Sequence, residues 1–82
     1  MDHGRAVQIA SDYLVHRAAL DDLLGRLRRH FASAPELTFA QFRDLSGLTR
    51  KLGIPMLEYL DQTGRTLRTG DVRVAGPALA GA

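Results

Sequence analysis

The sequence predicts an α+β fold, mainly helical, in which three helices precede a two-stranded antiparallel hairpin, and three observations predict it. Leu20, Leu23, Leu24, Leu27 and Phe31 recur at the i, i+3, i+4, i+7 spacing of an amphipathic helix. Thr38-Phe39-Ala40-Gln41 is a capping box that opens a second helix, and a third apolar stripe of Leu52, Met56, Leu57 and Leu60 follows a turn containing Gly47. Two β-favouring runs then flank Gly70-Asp71, a dipeptide suited to a tight hairpin turn. With 82 residues and 45% hydrophobic content, the chain can build one small core and no second.

Taken in order, Val7-Gln8-Ile9 and Tyr13-Leu14-Val15 read as a short β-hairpin or strand remnants behind a frayed leader, Met1 to Arg5. Nothing here can bury a face alone, so residues 1–15 are assigned to the leader and last strands of a preceding unit or linker. The first helix runs from Arg17 to about Ala32, with Asp21 and Asp22 in its first turns and Arg26, Arg28, Arg29 and His30 in its last, the distribution that suits the helix dipole. Its basic end is accordingly read as dipole compensation on a solvated surface rather than as a nucleic-acid patch.

Ser33-Ala34-Pro35-Glu36 breaks the chain, Leu37 and Phe42 form a hydrophobic staple across the capping box, and a short helix from Phe39 to Ser46 buries Phe39, Phe42 and Leu45 before stopping at Gly47. Thr49 is placed to cap the third helix with its hydroxyl, Pro55 to kink it or detach its first turn, and Gly64 to end it in a left-handed conformation. The tight turn at Gly70-Asp71 pairs Thr69 with Val72, Arg68 with Arg73 and Leu67 with Val74. Leu67, Val72 and Val74 are then expected to face inward and the two arginines to stand opposite each other in solvent. Residues 76–82 have the composition of a flexible tail. Two helices joined by a short Gly-containing turn and followed by a basic-tipped hairpin make a winged helix-turn-helix, with residues 16–75 as the domain.

In the third helix the charges oppose the dipole: Arg50 and Lys51 lie at the positive N-terminal end, Glu58 and Asp61 near the negative end. Such a conflict is expected where a surface serves a partner, and the N-terminus of a helix welcomes an anion such as phosphate. The opposed Arg68 and Arg73 carry the same message, since like charges across a strand pair destabilise it, although a charged edge that discourages aggregation reads the same way. Ten of the eleven cations are arginine, suited to phosphate, and a GC-rich genome produces the same bias.

Catalytic constellations do not emerge. There is no Walker-type glycine loop, no nucleophile elbow and no paired histidine with metal spacing; His3, His16 and His30 are scattered, and the neighbours Asp21 and Asp22 point in different directions on a helix. The lack of cysteine excludes disulfides and thiolate metal sites, no apolar run reaches bilayer length, and no signal peptide opens the chain, so a cytoplasmic, non-membrane protein is expected. The segment therefore reads as a binding domain, not an enzyme. The exposed positions after Lys51, namely Ile54, Glu58, Asp61 and Gln62, are ill suited to base edges in a major groove, so contact through the helix tip fits an RNA stem-loop better than duplex DNA. The alternative is a protein-interaction or DNA-binding regulatory module of the same fold.

Thr49-Arg50-Lys51 through Leu57-Glu58-Tyr59-Leu60-Asp61, then Gly70-Asp71-Val72-Arg73-Val74, preceded by Leu37-Thr38-Phe39-Ala40-Gln41-Phe42-Arg43-Asp44, resembles the last winged-helix domain of the bacterial selenocysteine-specific translation elongation factors over about residues 13–75. Tyr13-Leu14-Val15-His16 resembles the strand leading out of the preceding winged-helix repeat. The resemblance implies that the parent factor is a GTPase carrying selenocysteinyl-tRNA to the ribosome, while this domain grips an mRNA hairpin that marks UGA for recoding. It further implies RNA contacts at Arg43, Thr49, Arg50, Lys51, Arg68 and Arg73. No cofactor is expected in this segment, GTP and Mg belonging to the GTPase domain. Gly53 departs from the family in replacing a bulkier residue.

Overall fold

The computed structural model describes residues 6–80, so the expectations for Met1 to Arg5, and for His3, lie outside the described residues. The element order is β1 (Ala6–Ala10), β2 (Tyr13–His16), α1 (Arg17–Ser33), α2 (Phe39–Ser46), α3 (Arg50–Gln62), β3 (Thr66–Thr69), β4 (Val72–Ala75) and α4 (Pro77–Ala80). This is the winged helix expected from the sequence, with one addition at each end.

The helix boundaries follow from local chemistry. His16 caps α1, its Nδ1 accepting the Ala18 N–H at 3.0 Å. In α2 the capping box closes both ways: Gln41 N donates to Thr38 Oγ1 at 3.1 Å and Thr38 N to Gln41 Oε1 at 2.9 Å, and Gly47 stops the helix at φ 73°. Thr49 departs from expectation. It occupies the N-cap of α3 but its side chain makes no cap, because the Leu52 N–H it would accept is already donated to the Thr49 carbonyl at 3.2 Å. Pro55 does not detach the first turn of α3; the helix runs uninterrupted from Arg50 to Gln62 with the proline inside it. At its far end Gly64, at φ 77°, lets Arg65 N reach the Leu60 carbonyl at 2.9 Å.

The core is built from the inner stripes of the three helices: Leu20, Leu23, Leu24 and Leu27 of α1, Phe42 of α2, and Met56, Leu57 and Leu60 of α3, closed by Leu37 and Leu79. The predicted α3 stripe is shifted by one position. Leu52 is 40% exposed, and Gly53 is buried instead, where a Cβ would touch Phe39 Cε1 at 3.4 Å and Phe42 Cε2 at 3.7 Å. The absent side chain is what lets α2 and α3 approach there.

The β1–β2 pair was set apart from the domain by sequence, yet its inner face, Val7, Ile9, Tyr13 and Val15, packs on the same core. The wing pairs in the predicted register, with Thr69 opposite Val72, Arg68 opposite Arg73 and Leu67 opposite Val74. Its faces are inverted. Leu67 is 46% exposed, while Thr66, on the other face with Arg68 and Arg73, is fully buried. The reason is a charge partner: Asp61 of α3 takes Arg73 Nη2 at 2.9 Å and Thr66 Oγ1 at 2.6 Å, which turns that face toward the helix. Leu37 adds a third strand-like contact, exchanging backbone bonds with Arg73 at 2.8 and 2.9 Å.

The tail expected at 76–82 instead forms α4 where it is described, and the expectation for residues 81–82 lies outside the described residues. Leu79 is 2% exposed, Ala78 N bonds the Gly64 carbonyl, and Arg28 Nε bonds the Leu79 carbonyl at 3.0 Å. One buried leucine and a glycine that lies flush against Gly64 hold this segment down, a signal too sparse to see in composition.

Candidate nucleic-acid interface

Arg50 and Lys51 project from the first turn of α3 and are exposed. The Arg50 guanidinium lies 5.3 Å from the centroid of the Phe39 ring, a cation–π contact at the junction of α2 and α3. Phe39 is the first residue of α2 and lies inside the capping box, between Thr38 and Gln41. The sequence reading placed Phe39 in the buried stripe. It is half-buried, with one face toward the core and one toward Arg50.

Beside this contact opens a recess of about 210 Å³ between α3 and the wing, walled by Phe39, Arg50, Ile54, Glu58, Arg68 and Arg73. Three of the six predicted site residues therefore meet around one concavity. Their states differ. Arg50 and Arg68 are exposed, Arg68 donating from Nε to the Gly70 carbonyl at 3.2 Å. Arg73 is committed: its side chain is 14% exposed and bonded to Asp61, so it is a structural member of the wall rather than the free surface cation that sequence proposed. Thr49 and Lys51, exposed at the start of α3, and Arg43, exposed on α2, do not line the recess.

The charge conflict in α3 thus has two causes. At the C-terminal end, Asp61 stands against the dipole because it holds Arg73 and Thr66 of the wing. At the N-terminal end, Arg50 has only the Phe39 ring, and Lys51 makes no hydrogen bond or ion pair among the described residues, so the conflict there is uncompensated. The cations of α1 behave differently. Arg26 is bound by Asp22 and the Leu45 carbonyl at 2.9 Å each, and Arg28 by the Leu79 carbonyl, whereas the expected dipole compensation is not what the helix ends show: the first turn of α1 carries no acidic residue, and His30 is the one basic residue in its last turn.

The arrangement suits a polyanion with an irregular shape: two cations and open backbone donors at a helix start, a third cation across a concave gap, and an aromatic edge between them. Glu58 in the wall makes a flat, phosphate-only surface unsuitable, and adds an acceptor for an N–H group. Phe39 and Glu58 were absent from the predicted set; an aromatic residue at the first helical position, inside a capping box, was the signal available for the first. Among the described residues no cluster of three or more His, Asp or Glu side chains could hold a metal, and no helix is long and apolar enough to cross a membrane.

A family described as elongation factor SelB, winged helix, matches residues 29–75. The chain is 41% identical over 73 residues to the selenocysteine-specific elongation factor of Desulfomicrobium baculatum, an alignment that takes in 89% of this chain and 12% of that protein. Among solved structures it is similar to the mRNA-binding domain of elongation factor SelB from E. coli, determined in complex with SECIS RNA, with a TM-score of 0.79 at 29% identity; 89% of this chain and 60% of that chain are covered.

Proposed function

The chain belongs to the winged-helix family of elongation factor SelB, and from that premise we propose that it holds a selenocysteine-insertion hairpin of mRNA through the tip of α3 and the wing. In this reading Arg50 and Lys51 meet phosphates at the helix start, Arg68 meets the strand across the recess, and the exposed Thr49 hydroxyl and Arg43 extend the contact along the stem. Arg73 braces the wing from behind. The reading assigns binding rather than catalysis to this segment and requires no cofactor of its own. GTP and Mg, selenocysteinyl-tRNA and the ribosome are engaged by other domains of a cytoplasmic factor that recodes UGA. The observation that carries it is that Arg50 and Arg68, from elements separated in the chain, flank one recess beside an aromatic ring.

Leu52 and Ile54, both exposed on α3 beside the cations, favour a second reading, a protein-docking face. Salt separates the two. Three phosphate contacts give a slope of about −2 to −3 in log affinity against log salt, or about 15- to 60-fold loss between roughly 50 and 200 mM. The assay is titration of the 82-residue chain with an RNA hairpin taken from beside an in-frame UGA, using a DNA duplex of the same stem as control. Absence of hairpin binding at the lower salt, or affinity insensitive to salt, would refute the RNA reading.

A further inference from the structure

A two-stranded hairpin is marginal on its own, so something must hold the wing at its angle to α3. Leu37 pairs with the backbone of β4, and Thr66 is buried at the root of β3. A further tie is Asp61. Its carboxylate, 23% exposed, accepts Thr66 Oγ1 at 2.6 Å, Arg73 Nη2 at 2.9 Å and Arg73 Nε at 3.4 Å, so that one side chain on α3 grips both strands of the wing. Arg68 stands directly opposite Arg73 in the register. By neutralising Arg73, Asp61 relieves the repulsion between the two and leaves Arg68 as the cation the wing presents across the recess from Arg50.

We infer that Asp61 is a positioning residue for hairpin binding, setting the pitch of the wing so that Arg68 and Arg50 face one another over the recess. The inference rests on the proposed function and makes a prediction whose sign is unusual. Asp61 is a negative charge beside a surface meant for phosphate, so by charge alone its removal should tighten binding. By position, removal frees the wing, restores the Arg68–Arg73 repulsion and weakens binding.

The test is Asp61→Asn in the 82-residue chain, titrated with the same RNA hairpin at two salt concentrations, alongside hydrogen exchange of the backbone amides without RNA. Binding is expected to weaken by about tenfold with the salt slope reduced by close to one contact, as Arg68 loses its phosphate. Faster exchange should be confined to β3 and β4 while α1 stays protected. Tighter or unchanged binding overturns the inference, as does a wing that keeps its protection. Should Asp61→Asn fail to fold, Thr66→Val decides: it removes only the hydroxyl bond to Oδ1 and should weaken binding by about 2- to 3-fold, whereas unchanged affinity overturns the inference. If the wild-type chain ignores the hairpin, the functional reading fails and takes the binding role of Asp61 with it. A wild-type chain that binds and an Asp61→Asn variant that binds as well sink the inference alone.

Discussion

Replacing Arg50 and Lys51 together by alanine separates binding from stability, because the two residues oppose the fold slightly while serving the ligand. In the free protein each cation at the start of α3 costs about 0.3 to 1 kcal/mol against the dipole. Against this, Arg50 gains about 0.5 to 1 kcal/mol from the Phe39 ring at an exposed site. Two relieved conflicts and one lost contact leave the variant level with wild type or more stable by up to about 1 kcal/mol. In the complex each lost phosphate contact removes on the order of 1 kcal/mol or more through charge-assisted bonding, so hairpin affinity should fall more than about 10-fold and the salt slope should shrink by about 1.4 to 1.8. Thermal melts by circular dichroism together with filter binding at two salt concentrations read both quantities. Unchanged affinity would remove these residues from the site, and a melt lowered by more than about 2 kcal/mol would mark them as structural.

Three further outcomes follow from the packing. Leu79→Ala should cost about 2 to 4 kcal/mol in a urea titration, since Leu79 is buried in the core; a tail that merely trails would show no change. Thr38→Ala removes one half of the capping box at α2 and should cost about 1 kcal/mol in the same assay, and because Phe39 lies inside that box, hairpin affinity should fall as well. The Tyr13 phenol is raised above its ordinary value of 10.0 by burial, and its hydroxyl has no hydrogen-bond partner among the described residues. The native state therefore holds that proton more tightly than the unfolded chain, so its contribution is complete below pH 10 and is lost as pH rises through the raised value. Tyr13→Phe should flatten the alkaline fall in stability and be neutral or mildly stabilising at pH 7, checked by melts from pH 7 to about 11.

The helices were legible because their signals are local. The capping box and Gly47 act within a few residues, and the structure keeps both. The wing register was legible for the same reason, a two-residue turn that fixes the pairing on either side. Its orientation was not. Counting apolar residues put Leu67, Val72 and Val74 inward, but the deciding interaction is between Arg73 and a carboxylate twelve positions earlier, on a different element. Alternation over four-residue strands carries no trace of such a partner. The tail hid for a similar reason: Leu79 is a single apolar residue among small ones, and only the finished core shows the gap it fills.

The site was half legible. The misplaced charges at Arg50 and Lys51 could be read from the dipole rule, because an uncompensated helix start depends on nothing outside the helix. Asp61 broke the same rule for a different cause, and Arg73, taken as its counterpart on an open surface, turned out to be its ion-pair partner. Phe39 was legible as apolar but not as a residue with two faces. Which side of a half-buried ring is covered depends on how closely α2 and α3 approach, and Gly53 permits that approach by having no side chain between Phe39 and Phe42.

The paired backbone bonds between Leu37 and Arg73 have a mechanical corollary. They tie the wing to the chain two residues ahead of Phe39, so a tug on whatever the wing grips is carried straight into the base of α2 and on to the ring beneath Arg50. A load of that kind stretches two hydrogen bonds side by side instead of peeling them one after the other. The clasp is built to resist being dragged along its own length.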